Sequence, residues 1–282
     1  MIGALGACFG RVVTMDSPRA RPPGTFNWGA TLWHEIAHVI TLQMSNNRVP
    51  RWLTEGISVF EEKRARPEWG REMEVAFAQA LEQGKVLSVK DLNSGFSDPR
   101  MISLAYFQAS LLVDYLVTTH GEPALRLLLR AYGQGLENEA ALQQTYGASI
   151  DALQAGFDTY LDRQFGRLRR ALRAPELPAQ GATTEQLKLL AEANPESYPL
   201  HLTLGQALHR DGDATGAIRA LERAAALVPS ATGAESPHAL IAGIAQEKGD
   251  TARAIQALEA LARVDHQDVE IARKLASMVA PL

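Results

Sequence analysis

The chain has 282 residues, enough to bury a sizeable core and to divide into two domains. With 46% hydrophobic and 21% charged residues it falls outside the disordered class, and a formal net charge of -4 gives no broad electrostatic reason to expect nucleic acid or an anionic membrane as partner. Cys8 is the single cysteine, which excludes an intramolecular disulfide and a cysteine-rich metal site.

The opening MIGALGACFG lacks a basic start, and its apolar stretch is short and broken by glycine, so it reads as neither a signal peptide nor a membrane span. Val12 and Val13, between glycines and Asp16-Ser17-Pro18, predict a short strand, and RARPPG predicts a loop. From about Trp28 to Met44 the residues Leu32, Trp33, Ile36, Val39, Ile40 and Leu42 keep a helical period, which SNNRVP breaks. Pro50 is placed to be the first residue of a second helix through Trp52, Leu53, Ile57 and Phe60.

Further helical segments are expected at about 68–83, 101–119, 122–132, 137–145 and 149–165, with Gly84, Gly121, Gly133 and Gly147 as stop signals. The basic run Arg163 to Arg173 reads as the solvated end of a helix. Residues 173–184, rich in Pro, Ala and Gly, predict a linker between a domain over 1–172 and another over 185–282.

The C-terminal part repeats itself at an offset of 37. LGQALHRDGDATGAIRALERAAALVP aligns with IAGIAQEKGDTARAIQALEALARVDH, so Gly212-Asp213 falls on Gly249-Asp250, Ala217 on Ala254 and Leu221 on Leu258. Each unit reads as helix, tight turn, helix. This resembles the tetratricopeptide repeat, which implies an α-solenoid with a concave face for a protein partner. LAEANPES reads as the tail of a preceding unit and 268–279 as the first helix of a following one. The repeats lack the basic stripe that phosphate binding needs, so the expected partner is a protein and not a nucleic acid.

One stretch carries chemistry. In WHEIAHVITLQMSNNRVPRWLTEG, His34 and His38 stand four apart, one above the other on one helix face, where both rings can reach one ion. Glu35, rotated by about 100°, stands beside that ion without binding it, placed to take a proton from a water molecule held there. Glu55 supplies a third ligand, with Gly56 expected to let the second helix close on the first. Three protein ligands leave a position open.

HEIAH followed by PRWLTEGISVF resembles the gluzincin metallopeptidases, in particular the peptidase MA-like family, which is often fused to tetratricopeptide repeats. The likeness continues through LAYFQASLLVDYLVTTHG and YGASIDALQAGFDTYL, over most of residues 1–165. It implies a mainly α, helical zincin-like catalytic domain that binds one zinc ion through His34, His38 and Glu55, with Glu35 as general base against a peptide or protein substrate. It also implies an oxyanion donor from a later helix, for which Tyr106 is the candidate and His120 the alternative; Tyr115 and Tyr132 have no comparable claim. Position 59, one turn beyond Glu55, is a valine, so an acidic group orienting the histidines must come from elsewhere. The family has a β-sheet before the metal helix, whereas only GRVVTM reads as a strand here, a remnant that suggests the sequence starts inside the domain. Two other readings remain open: an inactive peptidase-fold scaffold, and a purely structural metal site with a fourth protein ligand.

Overall fold

A computed structural model describes residues 5–22, 27–175, 182–265 and 268–279 of the chain. Where one strand is expected there is a hairpin: β1 (Gly6–Phe9) pairs antiparallel with β2 (Val12–Met15), Phe9 opposite Val12 and Gly6 opposite Met15. Gly10, at φ +68°, takes the first position of its two-residue turn, where a side chain would be strained. Of the loop expected at RARPPG, Pro23 and Gly24 lie outside the described residues.

The rest is mostly helical. α1 (Trp28–Met44) starts on Asn27, whose side chain accepts from the Ala30 N–H, and α2 (Arg51–Ala65) follows six residues later. The reversal between them uses Asn46 and Asn47 at φ 50° and 59°, a left-handed conformation that asparagine tolerates better than most residues. Pro50 stands one place before the first helical residue, as the cap, with its carbonyl accepting from Leu53 and Thr54. The expected helix over 68–83 resolves into a 3-10 turn at Arg71–Met73 and α3 (Glu74–Glu82).

After a 3-10 segment at Leu92–Ser97 come α4 (Ile102–His120), α5 (Glu122–Gly133), α6 (Asn138–Tyr146) and α7 (Ile150–Leu172). α7 runs on past 165 and carries most of the basic run. Gly133 is the last residue of α5, still helical, where an added Cβ would come within 3.2 Å of the Met44 carbonyl oxygen; Gly135, at φ +90°, makes the turn that follows.

The chain divides into two compact units, Met1–Met73 with Ala80–Gln164, and Glu74–Gln79 with Phe165–Leu282. In the first, Trp52 and Leu53 of α2 meet a core that includes Leu112 and Leu116 of α4, Leu128 of α5 and Phe157 of α7, all at 1% exposure or less. α4 is long and apolar enough to cross a membrane by length and composition, yet about half of that stretch is buried inside the protein. Its buried Gln108 is satisfied by the backbone of Leu87 on both sides of the amide. Gly56 faces α4, not α1 as the sequence suggested: a Cβ there would lie 2.7 Å from the Ala109 carbonyl oxygen.

The second unit holds α8 (Thr184–Ala193), α9 (Tyr198–Arg210), α10 (Ala214–Leu227), α11 (Pro237–Glu247), α12 (Thr251–Ala262) and α13 (Val269–Val279). Residues 176–181, the middle of the expected linker, lie outside the described residues. The turns α9–α10 and α11–α12 are near copies. Gly212 and Gly249 sit at φ +87° and +73°, and Asp213 and Asp250, both at φ -82°, accept from Gly216 and Arg253 N–H as helix caps. Leu204, Ala217, Leu221, Ala242, Leu258 and their neighbours form one shared core, and Gly205 lets Leu221 approach where a Cβ would be 2.6 Å away.

The two kinds of helical glycine should respond oppositely to alanine. Gly56→Ala forces α2 and α4 apart and should cost about 1–3 kcal/mol, as overpacking does. Gly243→Ala in α11 meets nothing within 4 Å and should stabilise by about 0.5–1 kcal/mol through helix propensity. Denaturant unfolding of both variants beside the parent chain checks the pair of signs.

Candidate metal centre

α1 and α2 lie side by side, and the facing side chains converge. His34 Nε2 and His38 Nε2 are 3.0 Å apart, and each is 3.2 Å from Glu55 Oε2. This near-equilateral triangle could hold one metal ion. Four-residue spacing on α1 brings the two rings together edge to face, with centroids 4.7 Å apart, and α2 brings Glu55 across from its second turn. Glu55 is 8% exposed, so the triangle sits in a largely dry place.

The far nitrogen of each ring is already committed. His34 Nδ1 is 2.6 Å from Glu62 Oε1, and a carboxylate only accepts, so the proton is on Nδ1. His38 Nδ1 is 2.7 Å from Thr54 Oγ1, which is 2.7 Å from Thr41 Oγ1, and Thr41 donates to the His38 carbonyl. Read as donors in that order, the bonds close a ring and put the His38 proton on Nδ1 as well. Both Nε2 atoms then present lone pairs to each other and to Glu55. Such a cluster needs a positive charge at its centre, a proton or a metal ion. Ser58, donating to the His34 carbonyl, ties the helices together one turn further on.

Electrostatics say the same. Burial alone would lower the His34 pKa, but the Glu55 and Glu62 carboxylates outweigh it and raise it to about 9. Burial pushes Glu55 the other way, yet its bonds to the two histidines hold it far below the usual carboxylate range. Its second oxygen, Oε1, accepts from Arg51 Nε at 3.2 Å, and Arg51 also donates to the Phe96 carbonyl.

Glu35 stands apart from the triangle. Its side chain lies beneath β1, so close that a Cβ on Gly6 would be 2.8 Å from both its Cγ and its Oε1. At 6% exposure its Oε2 has no hydrogen-bond partner among the described residues, and burial raises its pKa. Cys8, on the same strand, is close enough for the Glu35 charge to act on it.

Tyr106, near the start of α4, is brought to the cluster. Its ring centroid is 6.2 Å from that of His34, and its hydroxyl is near enough to Glu55 and Arg51 for both to act on it. Burial, reinforced by the Glu55 charge, pushes its pKa up to about 12, so it stays a proton donor. His120 is not brought there. It lies fourteen residues further along α4, about 21 Å by helix rise, with its ring against Tyr146. Tyr115 packs against Phe157 and Tyr160, and Tyr132 bonds to Asn138.

The sequence reading missed Glu62, Thr54, Thr41 and Arg51. Glu62 had a signal: seven residues are nearly two full turns, so it shares the face of Glu55 to within about 20°, whereas Val59 at four residues does not serve. Arg51, four residues before Glu55, had the spacing of a helical ion pair. The threonines meet only once the two helices pack.

A raised histidine pKa stabilises the fold while the proton is bound. In the metal-free chain that contribution is fully present below about 6.5 and is lost as pH rises through about 9. Thermal melts should therefore fall over that window without metal and hold steady when a saturating metal ion takes the proton's place. Glu62→Gln should flatten the metal-free curve as well, by lowering the His34 pKa.

No curated protein and no solved structure matches this chain. The family model of the Peptidase MA superfamily matches residues 21–163, a span that takes in α1, α2, α4 and every side chain of the cluster. That span is half of the chain, and the chain belongs to the Peptidase MA superfamily.

Proposed function

We propose that the chain is a zinc metallopeptidase of the gluzincin type, with a tetratricopeptide-like repeat region that binds a protein partner. The observation that carries the proposal is the triangle of two Nε2 lone pairs and one carboxylate oxygen at 3.0–3.2 Å. A tetrahedral zinc with bonds of 2.0–2.1 Å sets its ligand atoms about 3.3 Å apart, so the side chains need to move by only tenths of an ångström. The donor set supports zinc: two imidazoles and one carboxylate, each oriented by a further bond, with no fourth protein ligand in the cluster among the described residues. That last point favours a catalytic over a purely structural site.

When bound, zinc acidifies a water molecule and polarises the scissile carbonyl. The chain's own residues then divide the work. Glu35, buried and with an unpartnered oxygen, takes the proton; its raised pKa is the tuning a general base requires. Tyr106, neutral to high pH, donates to the oxygen that develops negative charge on the carbonyl. Glu62 and the Thr54–Thr41 pair hold the rings, and Arg51 fixes Glu55. In this reading residues 1–172 form the zincin-like catalytic domain and 185–282 a small solenoid, which shares one core across its helix pairs.

Glu35→Gln should keep zinc and lose at least a hundredfold in hydrolysis of a generic peptide, given what a general base contributes. His38→Ala and Glu55→Ala should lose the metal, and Glu62→Gln should bind it about 10–100-fold more weakly. Elemental analysis and a peptide-cleavage assay on the same preparations decide. Equal zinc in the parent chain and His38→Ala, or near-normal cleavage by Glu35→Gln, would sink the reading.

A further inference from the structure

A second concavity, of 590 Å³, opens beside the first turn of α2, within the range of small-ligand sites. Its accessible apolar lining is Pro50 and Leu136, with the buried Trp52 and Tyr132 behind them. Arg48 and Lys90 stand at it, both exposed, and among the described residues neither has an ion-pair partner.

The polar groups between them are biased one way. Asn93 spends its Oδ1 on the Trp52 backbone N–H, and Asn138 spends its Oδ1 on Trp52 Nε1 and the Tyr132 hydroxyl. A backbone N–H and an indole N–H can only donate, so both amides are oriented with oxygen inward, and each has only its NH₂ left to offer. Glu137 is the one acid of the lining. Two cations and two amide donors therefore line the pocket. α6 begins at the same pocket, and its dipole adds to the positive potential. None of these residues takes part in the metal cluster.

We propose that this pocket binds the free carboxylate of a short peptide, with Arg48 and Lys90 on the carboxylate and Pro50 and Leu136 against the peptide's apolar part. Charge-assisted bonds to a carboxylate are about twice as strong as neutral ones, which sets the expected discrimination. Peptide as the source of the carboxylate rests on the peptidase reading; the anion chemistry does not.

The test is calorimetric titration of the full chain with N-acetyl-dialanine, its C-terminal amide and inorganic phosphate. The parent chain should bind the acid with one site, and the metal-deficient His38→Ala chain should bind it equally well. The amide should bind at least tenfold more weakly, as should the acid to Arg48→Gln/Lys90→Gln, with an unchanged melting temperature because both side chains are exposed. Lys90→Gln alone should show a smaller loss. Equal binding of acid and amide, or no loss in the double variant, overturns the proposal. Loss in His38→Ala would move the ligand to the metal cluster and overturn it too, and phosphate binding as tightly as the acid would leave only a generic anion site. The readout needs neither metal nor hydrolysis, so failure of the peptidase reading would leave a positive result standing.

Discussion

Everything at the candidate metal centre depends on how closely α1 and α2 run. Side chains reach only a few ångströms from a helix axis, and helices pack 8–10 Å apart, so a triangle with 3.0–3.2 Å edges forms only where two axes are pressed together along facing residues. Three features hold them. The short reversal with left-handed Asn46 and Asn47 brings the chain back at once. The Thr41–Thr54 bond and Ser58 link the helices on either side of the ligands. Behind α2, Gly56 lets α4 come within backbone contact, so α2 is supported on the face opposite α1.

The same packing settles the protons. An imidazole offers one donor and one acceptor nitrogen, and which is which depends on the group at the far side of the ring. Glu62 and Thr54 take the donor role at both Nδ1 atoms, so both Nε2 atoms arrive as acceptors beside a carboxylate. Without a cation this arrangement repels itself, and the rise of His34 to about 9 is the protein's answer when only protons are present. A metal ion bound there would compete with that proton for the same electron pairs.

How much of this the sequence carried depends on distance along the chain. The α1 boundaries, the facing histidines and the repeat turns are local properties: a period, a four-residue step, a Gly-Asp pair at a fixed offset. Glu55 was legible because a third ligand had to follow within a short reversal. Glu62 was hidden only by looking one turn ahead rather than two. Gly56 was assigned to the wrong neighbour because a glycine shows that something comes close and not what; the answer needed the position of α4. β1 was missed because GACF has no β-branched residue and two small ones, and it becomes a strand through pairing with β2 and packing on α1. Arg48, Lys90 and the two asparagines are spread over ninety residues, and no pattern joins them before folding.

β1 also explains the state of Glu35. An isolated two-stranded hairpin is marginal in water, so this one is held by the helix beneath it. Gly6 is the point of contact, and any larger residue there would collide with the Glu35 carboxylate. Seated under that backbone, the carboxylate loses water at one oxygen and gains no bond there among the described residues, which disfavours its charged form and raises its pKa. In a merely structural carboxylate this would be a defect worth removing. In the proposed role of general base, a stronger base with one oxygen not committed to a bond is the useful arrangement.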